Sequence, residues 1–168
     1  SGSGSVGSLN FLNEAFDKID FTDLVTDTAV NFSNADSSVE ILGGAGADSF
    51  TLGKGTDKVS GNSGSDIFIL GNGKTGITSD TADSILDFQT GVDKLKLGLA
   101  GDKTLNTGNY IEAINPVVDF ESAVSSANIA LAGLNSTSTA TELYSFQFDS
   151  NDGYLFIEGR LSRFSKIG

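Results

Sequence analysis

Large apolar residues recur every nine positions through the first half of the chain, with Phe32, Ile41, Phe50, Val59 and Phe68 in one phase. Nine matches neither a helical face nor a strand's alternation. It fits a chain that makes a short strand, turns, and comes back with its large residue pointing inward. Successive copies then lie on opposite sides of a roll, and every second copy stacks. Upstream, Phe11, Leu12, Ala15, Phe16 and Ile19 fall at helical spacing, so residues 9–20 predict a short amphipathic helix capping the open end of the stack. Phe21, Leu24 and Val25 lead from it toward a turn. Residues 29–42 keep the phase without its glycines and read as degenerate rungs. Downstream, Ile85, Phe88, Val92, Leu95 and Leu97 surround a Gly91 turn and predict two short strands that seal the far end. A strand is expected over 109–114, broken by Pro116. The next element is a helix from Asp119, its N-cap, to Gly133, its stop. Residues 143–148 and 154–157 flank an Asp-Gly turn signal and predict a hairpin.

The polar positions sharpen the roll. Between Gly43 and Ile69 the nines carry glycine at Gly46, Gly55 and Gly64 and aspartate at Asp48, Asp57 and Asp66. A worn copy comes next at 70–78, with Thr75 in the aspartate position. Glycine lets a turn adopt positive φ and lets backbones approach closely. Stacking places Asp48 over Asp66 and Asp57 over Thr75, so carboxylates and backbone carbonyls form an oxygen cage suited to calcium. Without a cation those carboxylates repel one another. A flexible glycine-rich linker has no reason to keep three copies in phase. Asp80 and Asp83 come soon after the last rung and offer further ligands. The expected divisions are a linker scar over 1–5, an N-terminal cap with degenerate rungs over 6–42, the cation-binding roll over 43–103, and a C-terminal cap over 104–168.

Charge agrees with that reading. The 168 residues carry 22 acidic and 10 basic side chains, a net −12, and 16 of the acids are aspartate. Such a chain is a poor partner for nucleic acid or an anionic membrane surface. With neither cysteine nor histidine, disulfides, thiolate or imidazole metal shells and a Ser-His-Asp triad are excluded. No apolar run is long enough to span a bilayer. Ser1–Ser5 has the look of a linker, and the chain reads as a fragment of something longer. Residues 71–76 (GNGKTG) suggest a phosphate loop, but Phe68 stands where its first glycine belongs. The aromatics Tyr144, Phe146, Phe148 and Phe156 read as core-facing strand residues rather than a sugar platform.

The repeats, with the segment DSILDFQTGVDKLKLG at 83–98, resemble the C-terminal region of RTX (hemolysin-type calcium-binding) proteins exported by type I secretion. The final helix and hairpin are similar to C-terminal domains of secreted surface-layer and adhesin-like proteins. The resemblance implies a mainly β fold: a calcium-stabilised parallel β-roll with an N-terminal capping helix and a C-terminal helix-plus-hairpin cap. It implies calcium held by Gly44, Gly46 and Asp48 with Gly61, Ser63 and Asp66. A second site joins Asn62, Gly64 and Asp66 to Asp80 and Asp83. A third, deficient site joins Gly53, Gly55 and Asp57 to Leu70, Asn72 and Thr75. The implied role is non-catalytic: a calcium-binding module coupling folding to export and stabilising a secreted or cell-surface protein. Its partners are calcium and the type I machinery. The competing role is an accessory module of a secreted enzyme, gripping polysaccharide or lipopolysaccharide.

Overall fold

In the first half of the chain the nine-residue rhythm becomes two parallel sheets fed by alternate strands. One sheet takes β1 (Leu9–Asn10), β3 (Ala29–Asn31), β5 (Ser49–Leu52), β7 (Ile67–Leu70) and β9 (Lys94–Leu97) in that order. The other takes β2 (Lys18–Asp20), β4 (Glu40–Leu42), β6 (Lys58–Ser60) and β8 (Asp83–Ile85). The computed structural model describes residues 9–10, 16–33, 36–70, 80–97, 110–135, 143–149, 152–158 and 163–167. They fall into two compact units, residues 1–74 with 83–98 and residues 75–82 with 99–168.

The first unit is compatible with a parallel β-roll. Its register stacks Leu9, Val30, Phe50, Phe68 and Leu95 in one ladder and Ile19, Ile41, Val59 and Ile85 in the other. Phe50, Phe68, Ile41 and Val59 are completely buried. The Phe50 and Phe68 rings stack at 5.6 Å, and Phe88 lies 6.2 Å from Phe68. Each such side chain contributes about 1.5–3 kcal/mol of burial. Flanking residues are half-buried, the alternation of a strand with one wet face.

One expectation changes here. Residues 9–20 are not a helix, because both ends of the segment are strands in the ladders; residues 11–15 lie outside the described residues. Ile19 pairs Ile41, and Phe21 N–H and Glu40 N–H donate to the Leu42 and Asp17 carbonyls at 2.8 and 3.1 Å. Joining a ready sheet edge satisfies backbone groups that a short isolated helix leaves open, so tertiary pairing overrides the helical spacing. The segment 83–97 forms the two expected short strands around the Gly91 turn. It adds one more rung to each sheet, β8 on β6 and β9 on β7. Ile41 is inward as expected. Phe32 is buried too, although it is Val30 that pairs Phe50.

The second unit is a four-stranded sheet with a helix on one face. β10 (Tyr110–Glu112) lies parallel to β11 (Leu143–Phe148), which forms an antiparallel hairpin with β12 (Gly153–Glu158); β13 (Arg163–Ile167) extends it. Helix α1 (Phe120–Asn135) starts at the expected cap: the Asp119 carboxylate accepts Ser122 N–H at 2.8 Å, while Asp119 N–H donates to Ser122 Oγ at 3.1 Å. Gly133 does not stop it, and the helix runs two residues further. Ala123, Ala127, Leu131 and Leu134 pack with Tyr154 and Phe156. By register Phe156 faces the helix beside Ser145, whereas Phe146 pairs Leu155 on the opposite face. Phe148 shares the face of Phe146, both are half-buried, and only Phe156 of these aromatics turns to the helix side; the Tyr144 side chain lies outside the described residues.

Candidate cation-binding turns

Alternating sheets give the roll two edges of stacked turns. One edge carries residues 21–28, 43–48, 61–66 and 86–93, each leading from an even strand to an odd one. The other carries 32–39 and 53–57. On the first edge the turns are tied rung to rung. Ala45 N–H donates to Leu24 O at 2.9 Å, Ser63 N–H to Gly44 O at 3.2 Å, and Asn62 Nδ2 to Gly43 O at 2.6 Å.

The aspartates make two columns, one per edge. On the first, Asp48 Oδ1 accepts Thr28 N–H at 2.7 Å, Asp66 Oδ1 accepts Asp48 N–H at 2.8 Å, and Asp93 Oδ1 accepts Asp66 N–H at 2.9 Å. On the second, Asp57 Oδ1 accepts Val39 N–H at 3.1 Å and Asp83 Oδ1 accepts Asp57 N–H at 2.9 Å. The other carboxylate oxygen often closes its own turn from four residues back, as in Gly44 N–H to Asp48, Gly53 N–H to Asp57 and Gln89 N–H to Asp93. Asp48, Asp57, Asp66 and Asp83 are all buried. Among the described residues the ion pairs join Lys18 and Lys54 to Asp20, Glu40 and Asp36 on the surface. At Asp48, Asp57 and Asp66 backbone amides do the compensating instead. Burial pushes the Asp57 carboxyl above its usual range, and does the same to Asp66, where Asp93, Asp48 and Asp87 add repulsion.

These contacts place each expected ligand. Gly44, Gly46 and Asp48 do lie against Gly61, Ser63 and Asp66, since Ser63 bonds Gly44, Asp66 bonds Asp48, and Gly43 backs onto the Gly61 carbonyl. A Cβ at Gly64 would collide with the Gly46 carbonyl oxygen. The second expected grouping does not assemble as drawn. Asp83 belongs to the opposite edge, over Asp57, and Asp80 is exposed. It is the 86–93 turn that stacks on Asn62, Gly64 and Asp66. Asp87 accepts both Gly61 N–H and Asn62 N–H, at 2.9 and 2.8 Å, and Asp93 takes Asp66. In the third grouping Gly53 and Asp57 share a turn and Gly55 rests on Ser37 and Ser38. Asn72 and Thr75 lie outside the described residues, and the place over Asp57 expected for Thr75 is Asp83's. A carboxylate thus stands where the nine-residue count puts a neutral hydroxyl.

Asp87 and Asp93 fall outside the ligand set that the repeat spacing suggests. Their signal is present all the same: Asp48 to Asp66 spans 18 residues, while Asp66 to Asp93 spans 27 and Asp57 to Asp83 spans 26. The column resumes once the worn copy at 70–78 is treated as an insertion.

The donors gathered at these turns are carboxylate and carbonyl oxygens, the set a hard cation takes. Asp48 and Asp57 each use two of about four acceptor positions on amides and Asp66 uses one, so capacity remains. Among the described residues no group of three or more Asp, Glu, His or Cys side chains is close enough to hold an ion. A cation here would therefore draw on backbone carbonyls such as those of Gly44 and Gly46 as well as on Asp48 and Asp66. Compared with known proteins, the chain matches no family model and finds no significant match among curated proteins.

The raised carboxyls give the cation-free chain a definite pH response. For Asp57 and Asp66 the folded state binds its proton more tightly than the unfolded one. Their contribution is fully present below the unfolded value, about 3.9, and is lost as pH rises through the raised folded value. Asp20 and Asp119, both lowered chiefly by side-chain hydrogen bonds from Thr22 and Ser122, act in the opposite sense from the surface. The thermal midpoint of the roll, followed in metal-stripped buffer, should rise as pH is lowered from 7 to the unfolded carboxyl value, about 3.9. A midpoint that is flat or falls over that interval would refute the assignment.

Proposed function

We propose that this chain is a non-catalytic calcium-binding module of the RTX type, which couples folding to export and stabilises a secreted or cell-surface protein. The observation that carries the reading is the buried stack of Gly43–Asp48 on Gly61–Asp66, where carboxylates are sunk in the fold and accept hydrogen bonds from backbone amides. A buried carboxylate is costly without a compensating charge, and a divalent ion at an oxygen-lined turn supplies one. Extracellular calcium modules bind at about 10⁻⁴–10⁻³ M. Such a module stays loose where calcium is scarce and folds where it is plentiful, which suits passage through a type I exporter and assembly outside.

Calorimetric calcium titration tests the reading, and the two edges give it internal controls. Asp66→Ala should remove binding at the Asp48 edge, and Asp57→Ala and Asp83→Ala should each weaken the other edge. In double-mutant combination Asp57 and Asp83 should be coupled, and Asp57 with Asp66 close to additive. Magnesium, smaller and reluctant to shed water, should bind far more weakly. Absence of any saturable calcium heat up to about 10 mM, well above that affinity range, would remove the basis for the proposal.

A further inference from the structure

We propose a second cation site, between the 61–66 and 86–93 turns, where a hard divalent ion is held by the Asp66 and Asp87 carboxylates and backbone carbonyls complete its shell. It rests on the calcium-binding role proposed above and extends that role to a turn without the glycine repeat. The reason is an unequal use of carboxylate oxygens. Asp48, Asp57 and Asp93 each engage both of theirs. In each, Oδ1 accepts an amide of the neighbouring rung and Oδ2 accepts the amide four residues back in its own turn. Asp66 departs from them. Its Oδ1 accepts Asp48 N–H at 2.8 Å, but among the described residues no hydrogen bond reaches its Oδ2. The residue is 1% exposed, and a buried anionic oxygen without a donor is costly.

The amide that would close this turn is that of Asn62, and it serves Asp87 instead. Asp87 Oδ2 accepts Asn62 N–H at 2.8 Å and its Oδ1 accepts Gly61 N–H at 2.9 Å. Asp66 Oδ2 faces the same Gly61, where an added Cβ would collide with it. Gly61 therefore stands between two carboxylates, Asp66 buried and Asp87 half-buried. Asp93 holds the upper turn in place, accepting Asp66 N–H at 2.9 Å and Gln89 N–H at 2.8 Å. The described ion pairs employ Lys18 and Lys54 elsewhere on the surface, so the charge this arrangement lacks has to come from solution. An ion has a way in, because residues 62–65 and 89–92 are exposed. Carboxylate and carbonyl oxygens around an irregular turn suit calcium better than magnesium, which demands a near-ideal octahedron.

Equilibrium dialysis of the full chain against radioactive calcium counts the ions bound. Asp87→Asn keeps the shape of the side chain and removes its charge. It should lower the count by one, or weaken one ion by at least about tenfold, and leave the others as they were. Asp48→Asn should affect a different ion, so that the double variant shows both losses. An Asp87→Asn chain that binds as many ions as the wild type, with the same affinities, overturns the second site and leaves the calcium-binding role standing. A wild-type chain that binds no calcium overturns both. Should Asp87→Asn not fold, anomalous scattering from terbium, which takes the same oxygen ligands, decides the point in crystals of the wild-type chain. A peak between Asp66 and Asp87 supports the site, and terbium at Asp48 without that peak overturns it.

Discussion

In calcium-free buffer the chain should lose most of its β-sheet circular dichroism, and millimolar calcium should restore it. The expectation rests on the roll's own inventory. Its inward ladders are narrow, one or two large residues per rung and sheet, so the apolar gain per rung is modest against the entropy of ordering the turns. Against that gain stand four buried aspartates in two columns and a chain with net charge −12. Amide hydrogen bonds offset part of the cost but leave Asp57 and Asp66 with raised carboxyls.

A ligand that binds only the folded state adds RT ln(1 + [L]/Kd). With Kd of about 10⁻⁴–10⁻³ M and about 10 mM calcium, each site contributes roughly 1.4–2.7 kcal/mol. Two sites then contribute roughly 2.8–5.4 kcal/mol, a large share of the roughly 5–15 kcal/mol net stability of an ordinary domain. Magnesium at the same concentration should restore little. The second unit provides a reference, since the proposed ligands lie in the roll and α1 should keep its helical signal in chelator. A spectrum fully folded in excess chelator and unmoved by calcium would rule out coupling of folding to the ion.

The legible part of this fold is the part where one residue type does one job at fixed spacing. Phe50, Val59 and Phe68 announce the ladders, and Asp48 and Asp66 announce their own pairing, because a repeating strand-turn unit leaves the chain no other way to bury those positions. The helix at 120–135 and the hairpin are legible for similar reasons, an Asp119 cap and an alternating strand with a turn signal. Pairing decided by neighbours rather than by local pattern is what the sequence hides. Leu9 and Ile19 sit at spacing a helix also accepts, and only an open sheet edge made of Val30 and Ile41 decides between the two. The places of Asp83, Asp87 and Asp93 are lost when the strict count runs through Thr75 instead of past it. Their columns depend on which strand β8 and β9 join, a long-range choice no window of nine contains. Thr28 occupies an aspartate's place at the start of the first column, and its departure from phase conceals that as well.

Gly64→Ala should be among the most damaging single substitutions in the roll, and comparison with Gly91→Ala isolates the cause. Both glycines have positive φ, +141° at Gly64 and +84° at Gly91. At Gly91 an added Cβ meets nothing within 4 Å, so the cost is backbone preference alone, about 1–2 kcal/mol. At Gly64 the backbone angle lies outside the ordinary left-handed well, and the new methyl collides with the Gly46 carbonyl while lying 3.2 Å from Asp66 Oδ1. Neither neighbour can retreat cheaply. The Gly46 turn is itself pinned through Ala47 N–H to Asp27 and Ala45 N–H to Leu24, and Asp66 is tied to Asp48. Strain and overpacking together should cost about 3 kcal/mol or more, a fall in thermal midpoint of more than roughly 10 °C for a unit of this size. The same substitution should also weaken calcium binding, because it separates the two turns whose carbonyls and carboxylates the ion would share. Asn62, at φ 65°, shows the contrast within one turn: asparagine tolerates that conformation and its amide reaches Gly43 O. Equal midpoints for the Gly64 and Gly91 variants, measured in saturating calcium, would mean that the close approach of Gly64 to Gly46 does not hold the stack together.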